Sequence, residues 1–301
     1  MTTSLNNRVS VSSDTHLAVD LWPAEDDGPA GTSGGPPAFL LVPGLASNAQ
    51  LWWGCAERLS ELGHPAAAVD QRGHGRSDKP DEGYTLDQAC DDLVALAAHL
   101  RSSVPGFRRR LMVAGQSWGA NVALELGYRH PDVFGGVVCV DGGTIELAAR
   151  FPDWEACAAA LAPPRTTGRR ATDIEAFMLR AHPTWPPSGV AAQMANFGVM
   201  PDGTVAPHLS FDNHMKLLRA LWGHHPSTRY GGMQVPVLLV PADSGQASWT
   251  ADKRASVEGA LAALPLGAAH WFSPADHDIH AQFPVELAEV LHRESTEGIL
   301  S

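Results

Sequence analysis

Leu111-Met112-Val113-Ala114-Gly115-Gln116-Ser117-Trp118-Gly119-Ala120-Asn121-Val122-Ala123-Leu124-Glu125-Leu126-Gly127-Tyr128-Arg129-His130 is the stretch that decides the fold. It opens on four apolar residues, the length and character of a buried strand. It closes on a run with helical spacing from Trp118 to His130. Between them lies Gly115-Gln116-Ser117-Trp118-Gly119, a G-x-S-x-G pattern. Three fixed positions in five are a cheap match alone. A strand running straight in and a helix running straight out are the context that gives the pattern meaning. So sharp a turn strains the serine backbone and lifts its hydroxyl clear of the sheet, and the glycines remove side chains that would clash. The helix start offers unpaired N–H groups and a positive dipole end to a developing negative charge. Ser117 is therefore the candidate nucleophile.

Working outward, apolar runs alternate with helical patterns. Residues 8–22 read as a β-hairpin about Ser13-Asp14-Thr15, and residues 23–37, rich in Pro, Gly and acid, as an exposed loop. Strands are expected at 38–42, 65–70, 111–114, 137–140, 235–240 and 268–272. Helices are expected near 48–62, 87–100, 118–130 and 250–264, and from about 284. This alternation implies βαβ units and a mostly parallel sheet with helices on both faces, with functional loops at the carboxyl ends of its strands. Residues 142–232 break the pattern. They carry helical segments (153–161, 173–181, 212–222), Pro-rich breaks and few strand signals. The expected division is a core of 1–141 and 233–301 with a helical insertion of 142–232 after the sixth strand.

The net charge of −12, from 21 basic and 33 acidic residues, argues against nucleic acid or an anionic membrane as a partner. Arg108, Arg109 and Arg110 precede an apolar run and read as a solvated strand entrance. The composition, 44% hydrophobic and 18% charged, allows a sizeable core. The N-terminal MTTSLNNRVSVSS lacks the apolar segment of a secretion signal, so the expected location is the cytoplasm. Cys55, Cys90, Cys139 and Cys157 are scattered and read as small core residues rather than as a disulfide frame or metal site.

Together these segments resemble the α/β-hydrolase superfamily. Val42-Pro43-Gly44-Leu45, followed by Trp52, is similar to the segment that supplies half of its oxyanion hole, with Pro43 where a His is usual. The resemblance implies backbone N–H groups of Leu45 and Trp118 as the hole. Asp70-Gln71-Arg72-Gly73-His74-Gly75-Arg76-Ser77 resembles the family's DxRGxGxS loop, which implies a structural role for His74. Ala275-Asp276-His277-Asp278-Ile279-His280-Ala281-Gln282-Phe283-Pro284 resembles its GHxxHxxxP ending, which makes His277 the base. His270 reads as a core or sheet-face residue and His292 as exposed. A metal role for His277-x-x-His280 lacks a third ligand.

The acid has two candidates. Asp243 follows the strand Val235–Val240, the commonest location, but in an unusual register. Asp141 ends the strand 137–140 and resembles the branch holding its acid after the sixth strand. Asp141 is preferred and Asp243 stays as the alternative. The insertion resembles a cap that roofs the nucleophile, with Trp154, Trp185, Phe197 and His214 among its candidate substrate contacts.

The implied function is a serine hydrolase that needs no cofactor and cleaves a carboxylic ester or lactone of a small, apolar acyl substrate. A proline-type aminopeptidase, amidase or thioesterase is the alternative on the same fold; the amine of a peptide substrate would need acids such as Glu155, Asp173 or Glu175. A non-hydrolysing receptor or scaffold is the alternative of another class.

Overall fold

The structure is a computed structural model and describes residues 4–23 and 35–301. Most of the acidic loop expected at 23–37 lies outside the described residues. The chain runs β1 (Ser4–Ser10), β2 (His16–Trp22), β3 (Ala38–Val42), α1 (Trp53–Glu61), β4 (Ala66–Val69), α2 (Leu86–Ser103), β5 (Leu111–Gln116), α3 (Trp118–Arg129) and β6 (Gly136–Val140). Then come α4 (Trp154–Leu161), α5 (Ala171–Ala181), α6 (Pro187–Met194), β7 (Phe197–Val199), β8 (Val205–Pro207) and α7 (Phe211–Trp222). The sheet resumes with β9 (Val237–Val240), α8 (Ala247–Ala263), β10 (Gly267–Ala269), α9 (Ile279–Gln282) and α10 (Pro284–Thr296).

Eight strands form one sheet in the order β1-β2-β4-β3-β5-β6-β9-β10. The β1–β2 and β2–β4 pairs are antiparallel and every other pair is parallel. Strands buried on both faces read as unbroken apolar runs, which is why β3 (AFLLV) and the start of β5 carry no polar residue. The period of two splits their side chains between two cores. Leu40, Val42, Val113 and Val137 pack with residues of α2, α3 and α8, such as Leu96, Val122 and Val257. Phe39, Leu41, Met112 and Val138 pack with residues of α1 and α10, such as Leu59 and Leu291. All four cysteines are buried and free.

Several helix starts are capped by a side-chain oxygen. Thr85 accepts from Gln88 N–H at the start of α2, Asp153 from Ala156 N–H at α4, and Ser210 from Asn213 N–H at α7. The insertion holds one element that its sequence hides, the antiparallel hairpin β7–β8. Each strand has only three residues, too few to show an alternation. The strand expected at 268–272 ends earlier, at Ala269, so His270 lies just past it, with its ring near Arg293. His292 is half-buried rather than exposed: its Nδ1 is 2.9 Å from His64 Nε2.

Both ends of the insertion are tied to α3. Asn121 accepts from Gly143 N–H (2.9 Å) and donates to Ile145 O (2.8 Å) where the insertion begins. At its far end Tyr230 donates to Gly143 O (2.9 Å), and His224 bridges Asn121 and Glu125. Burial works against ionisation of Glu125, but its bonds to His224, Arg229 and Arg129 bring its pKa down to about 2. Among the described residues no helix is long and apolar enough to cross a membrane.

Candidate active site

Ser117 is the single residue between β5 and α3, with φ 55° and ψ −117°. A non-glycine residue held there stores strain that the surrounding structure must impose. Its N–H donates to Val140 O (3.0 Å), fixing the turn to the end of β6. The flanking glycines are explained by close approach. A Cβ on Gly115 would lie 2.6 Å from Ala120 N, and one on Gly119 2.5 Å from Pro43 O. A Cβ on Gly142 would lie 2.5 Å from Ser117 O. The chain ends after β3, β5 and β6 therefore meet around Ser117 at backbone contact.

Trp118 opens α3, so its N–H has no carbonyl one turn back to bind. Leu45 lies in the segment after β3, which the 70–77 loop braces. Gln71 Nε2 donates to Pro43 O (2.7 Å), and Ala46 N–H donates to His74 Nε2 (3.2 Å). With Nε2 accepting, the proton of His74 sits on Nδ1, which donates to Arg72 O (2.9 Å). Burial lowers the pKa of His74, which suits a neutral ring that accepts at one nitrogen. Asp70, at the end of β4, accepts from Ala49 N–H and Arg76 N–H.

His277 follows β10. Its Nδ1 is 2.6 Å from Asp141 Oδ2. Asp141 follows β6 with φ 41° and is 7% exposed. Oδ1 of Asp141 accepts from Ala242 N–H (2.9 Å), and Lys253 Nζ reaches both oxygens, at 2.7 and 3.0 Å. Burial opposes the charge of Asp141, but the bond to His277 and the charges of His277 and Lys253 hold its pKa below the usual carboxylate value. Desolvation pulls His277 down, while its bond to Asp141 and the charges of Asp278 and Asp141 outweigh that, so its pKa is raised. Gln116 Nε2 donates to His277 O (3.3 Å), joining the histidine loop to the residue before Ser117. Among the described residues no hydrogen bond joins Ser117 Oγ to His277, whose side chain is 49% exposed. Such bonds are often loose without substrate.

The other acid, Asp243, is engaged elsewhere. It accepts from Gly245 N–H (2.9 Å) and Thr250 Oγ1 (2.7 Å) and pairs with Arg254 (3.3 Å), organising the loop after β9. His280, three residues past His277, is fully buried, and its ring lies 4.6 Å from that of Trp52. Among the described residues neither of its ring nitrogens has a hydrogen-bond partner. Burial, and then the nearby His277, push its pKa down to about 3. An unfolded chain takes up this proton below about pH 6.5 and the native fold refuses it until about pH 3, so stability falls as pH drops through that window. The expected loss is about 2 kcal/mol at pH 5 from this residue alone. Urea unfolding at pH 7 and pH 5 of the wild type and His280→Leu checks it: the variant should lose less on acidification, and equal losses would remove His280 from the account.

A cavity of about 500 Å³ lies between the Ala46–Ser47 segment, His74 and the insertion. Phe197 and His214 line it, along with Arg165, His208 and Phe211. Burial, then His74, push His214 down to about 4. Trp154 and Trp185 do not line it. Trp154 packs edge-on against Trp222, at 6.2 Å. Trp185 is buried beside Leu51 and Val190, and its Nε1–H donates to Asp276 (2.9 Å). Two residues that sequence reasoning passed over sit at the centre: Lys253 and the backbone of Ala242. No local pattern announces Lys253, which lies 112 residues from the carboxylate it holds. Among the described residues no group of three or more His, Cys, Asp or Glu is placed to hold a metal ion.

A family profile described as serine aminopeptidase, S33 matches residues 37–185. The 2-(acetamidomethylene)succinate hydrolase of Mesorhizobium japonicum is 29% identical over 217 residues, which cover 71% of this chain and 73% of that protein. The crystal structure of an E-2-(acetamidomethylene)succinate hydrolase superposes with a TM-score of 0.71 at 24% identity, over 98% of each chain. The enol-lactonase of Burkholderia xenovorans LB400 superposes with a TM-score of 0.62 at 18% identity, over 98% of this chain and all of that one. At such identities the superpositions speak for the fold alone. With the sheet order, the strained serine after β5 and the sequence relatives pointing the same way, the chain is a hydrolase of the α/β-hydrolase superfamily.

Proposed function

We propose that the protein is a serine hydrolase of a carboxylic ester or lactone. Ser117 Oγ attacks the carbonyl carbon and His277 takes its proton. Asp141 holds the ring through Nδ1 and stabilises the imidazolium that forms. The N–H groups of Leu45 and Trp118 bind the oxyanion. His277 returns the proton to the leaving oxygen, and water activated by the same ring hydrolyses the acyl-enzyme. Residues 142–232 act as the cap, and the cavity of about 500 Å³ beneath it, whose lining begins at Ala46 beside Leu45 and does not include Ser117 or His277, is assigned to the acyl group.

The observation that carries this reading is the 2.6 Å bond between His277 and Asp141, because Asp141 follows the residue whose carbonyl anchors Ser117. A fluorophosphonate probe tests it. Covalent labelling at Ser117 is expected in the native protein and should vanish in Ser117→Ala. A folded wild type that resists the probe would sink the hydrolytic role.

One observation favours a second reading, a small amide bearing a carboxylate. Arg165 lines the same cavity with its guanidinium 4.2 Å from the Phe211 ring centroid, a placed cation suited to an anionic group. The Mesorhizobium relative is named for a succinate derivative carrying an acetamido group. Glu155, Asp173 and Glu175, which an aminopeptidase would need for the amine, do not line this cavity. A turnover screen over neutral esters, lactones and anionic amides separates the readings.

A further inference from the structure

We propose that Lys253 is a positioning residue for the base: it fixes the Asp141 carboxylate from behind and offsets part of its charge, so that His277 gives up its proton more readily. The proposal rests on the reading of His277 and Asp141 as base and orienting acid.

The geometry is closed. An ammonium has three donors, and Lys253 Nζ has three short acceptors: Asp141 Oδ1 at 2.7 Å, Asp141 Oδ2 at 3.0 Å and Ala242 O at 2.7 Å. Ala242 completes a ring, since its N–H donates to Asp141 Oδ1 while its carbonyl accepts from Lys253. Oδ2 is the oxygen that His277 uses, so the lysine and the imidazole share one carboxylate. The next residue of α8, Arg254, pairs with Asp243. Two successive cations on one helix thus hold the two candidate aspartates.

The electrostatic consequence follows from sharing. A buried carboxylate facing one imidazole favours imidazolium strongly. Asp141 has a side chain only 5% exposed, so a second cation on it is weakly screened and opposes that preference. Lys253 indeed acts to lower the pKa of His277, against Asp141 and Asp278, which raise it. The other titratable or charged neighbours are Asp276 beside His277 in sequence, His182 at the end of α5, which contacts Asp276, His280 on α9, and Arg150, which borders the same cavity as Asp141 and His277. Among the described residues Asp276, His182 and His280 make no hydrogen bond to Asp141. A cavity of about 400 Å³ borders Lys253, Asp141 and His277 together, giving the trio a route to solvent.

The test is NMR titration of the His277 ring in the wild type, Lys253→Met and Lys253→Arg, with thermal melts confirming the fold. The pKa of His277 should rise by roughly one unit in Lys253→Met and stay near the wild-type value in Lys253→Arg. Should the Met variant fail to fold, Lys253→Gln, which keeps two N–H donors without the charge, gives the same comparison. An unchanged or lower His277 pKa in a folded, uncharged variant overturns the proposal. Where an ester is turned over, the acidic limb of kcat/KM should move with the titration, because His277 acts as a base only when neutral. The titration needs no turnover, so its failure is distinct from a failure of fluorophosphonate labelling, which bears on the hydrolase reading alone.

Discussion

Asp141→Asn is expected to lower kcat by on the order of 10⁴, while Asp243→Asn leaves it within about tenfold. The proposed base needs a proton on Nδ1 and a lone pair on Nε2. A carboxylate at 2.6 Å from Nδ1 enforces that tautomer and stabilises the cation formed when Ser117 gives up its proton. An amide can turn its NH2 to the ring and favour the wrong tautomer. It also leaves Lys253 without its counter-charge, so a lower Tm should accompany the loss of rate. Asp243 makes its bonds to Gly245, Thr250, Arg254 and Ser273, all within the 243–273 region, so its replacement loosens a loop and leaves the imidazole alone. Steady-state kinetics on both variants decides the matter, and the reverse ranking would make Asp243 the acid.

Gly119→Ala should be nearly as damaging, through the backbone. The added methyl would sit 2.5 Å from Pro43 O and closer still to Val42 O, neither of which can swing aside as a side chain could. Relief requires α3 and the segment after β3 to part. The expected cost is about 3 kcal/mol or more, seen as a fall in Tm of roughly 6 °C or more. The same movement separates Leu45 from Trp118, the two halves of the proposed oxyanion hole, so the surviving folded fraction should lose about 10²-fold in kcat. A fully active, equally stable Ala variant would contradict the close approach of these segments. Gly127→Ala is a useful contrast: there the nearest atoms are side chains of Val137, Met233 and Val235.

The fold was legible in the sequence because doubly covered strands leave a coarse signal. Runs such as Ala38–Val42 and Leu111–Ala114 can hardly be anything but buried, and the helices between them are long. The insertion was harder. Pro201-Asp202-Gly203 is a good turn sequence, yet β7 and β8 around it are too short to betray a hairpin. At the site, Ser117 and His277 sit in local patterns and could be singled out one by one. The aspartate that pairs with His277 could not, because Asp141 and Asp243 both follow strands. What separates them in space is that Asp141 N–H continues the β6–β9 ladder onto Val240 O, whereas Asp243 N–H bonds Phe272 O, on the side of β10. That is a fact of register between distant strands. Lys253 was invisible for the same reason, as was the fate of Trp154 and Trp185: an aromatic ring reads identically in the sequence whether it meets a cavity or another side chain.

The ties that Asn121, Glu125 and Tyr230 make across the two ends of the insertion have an architectural consequence. Gly143 and Ile145 at the departure and His224 and Arg229 at the return are fastened to one helix, the same helix that begins just after Ser117. The 78 residues between Ile145 and His224 leave and rejoin the core at a single riveted collar. What happens beyond the collar, whether helices lengthen, the hairpin vanishes or the aromatic lining changes, need not disturb the serine below it. On the proposed reading, recognition and bond cleavage are thus held in separable parts, and a lineage could exchange one roof for another while passing on the same hearth.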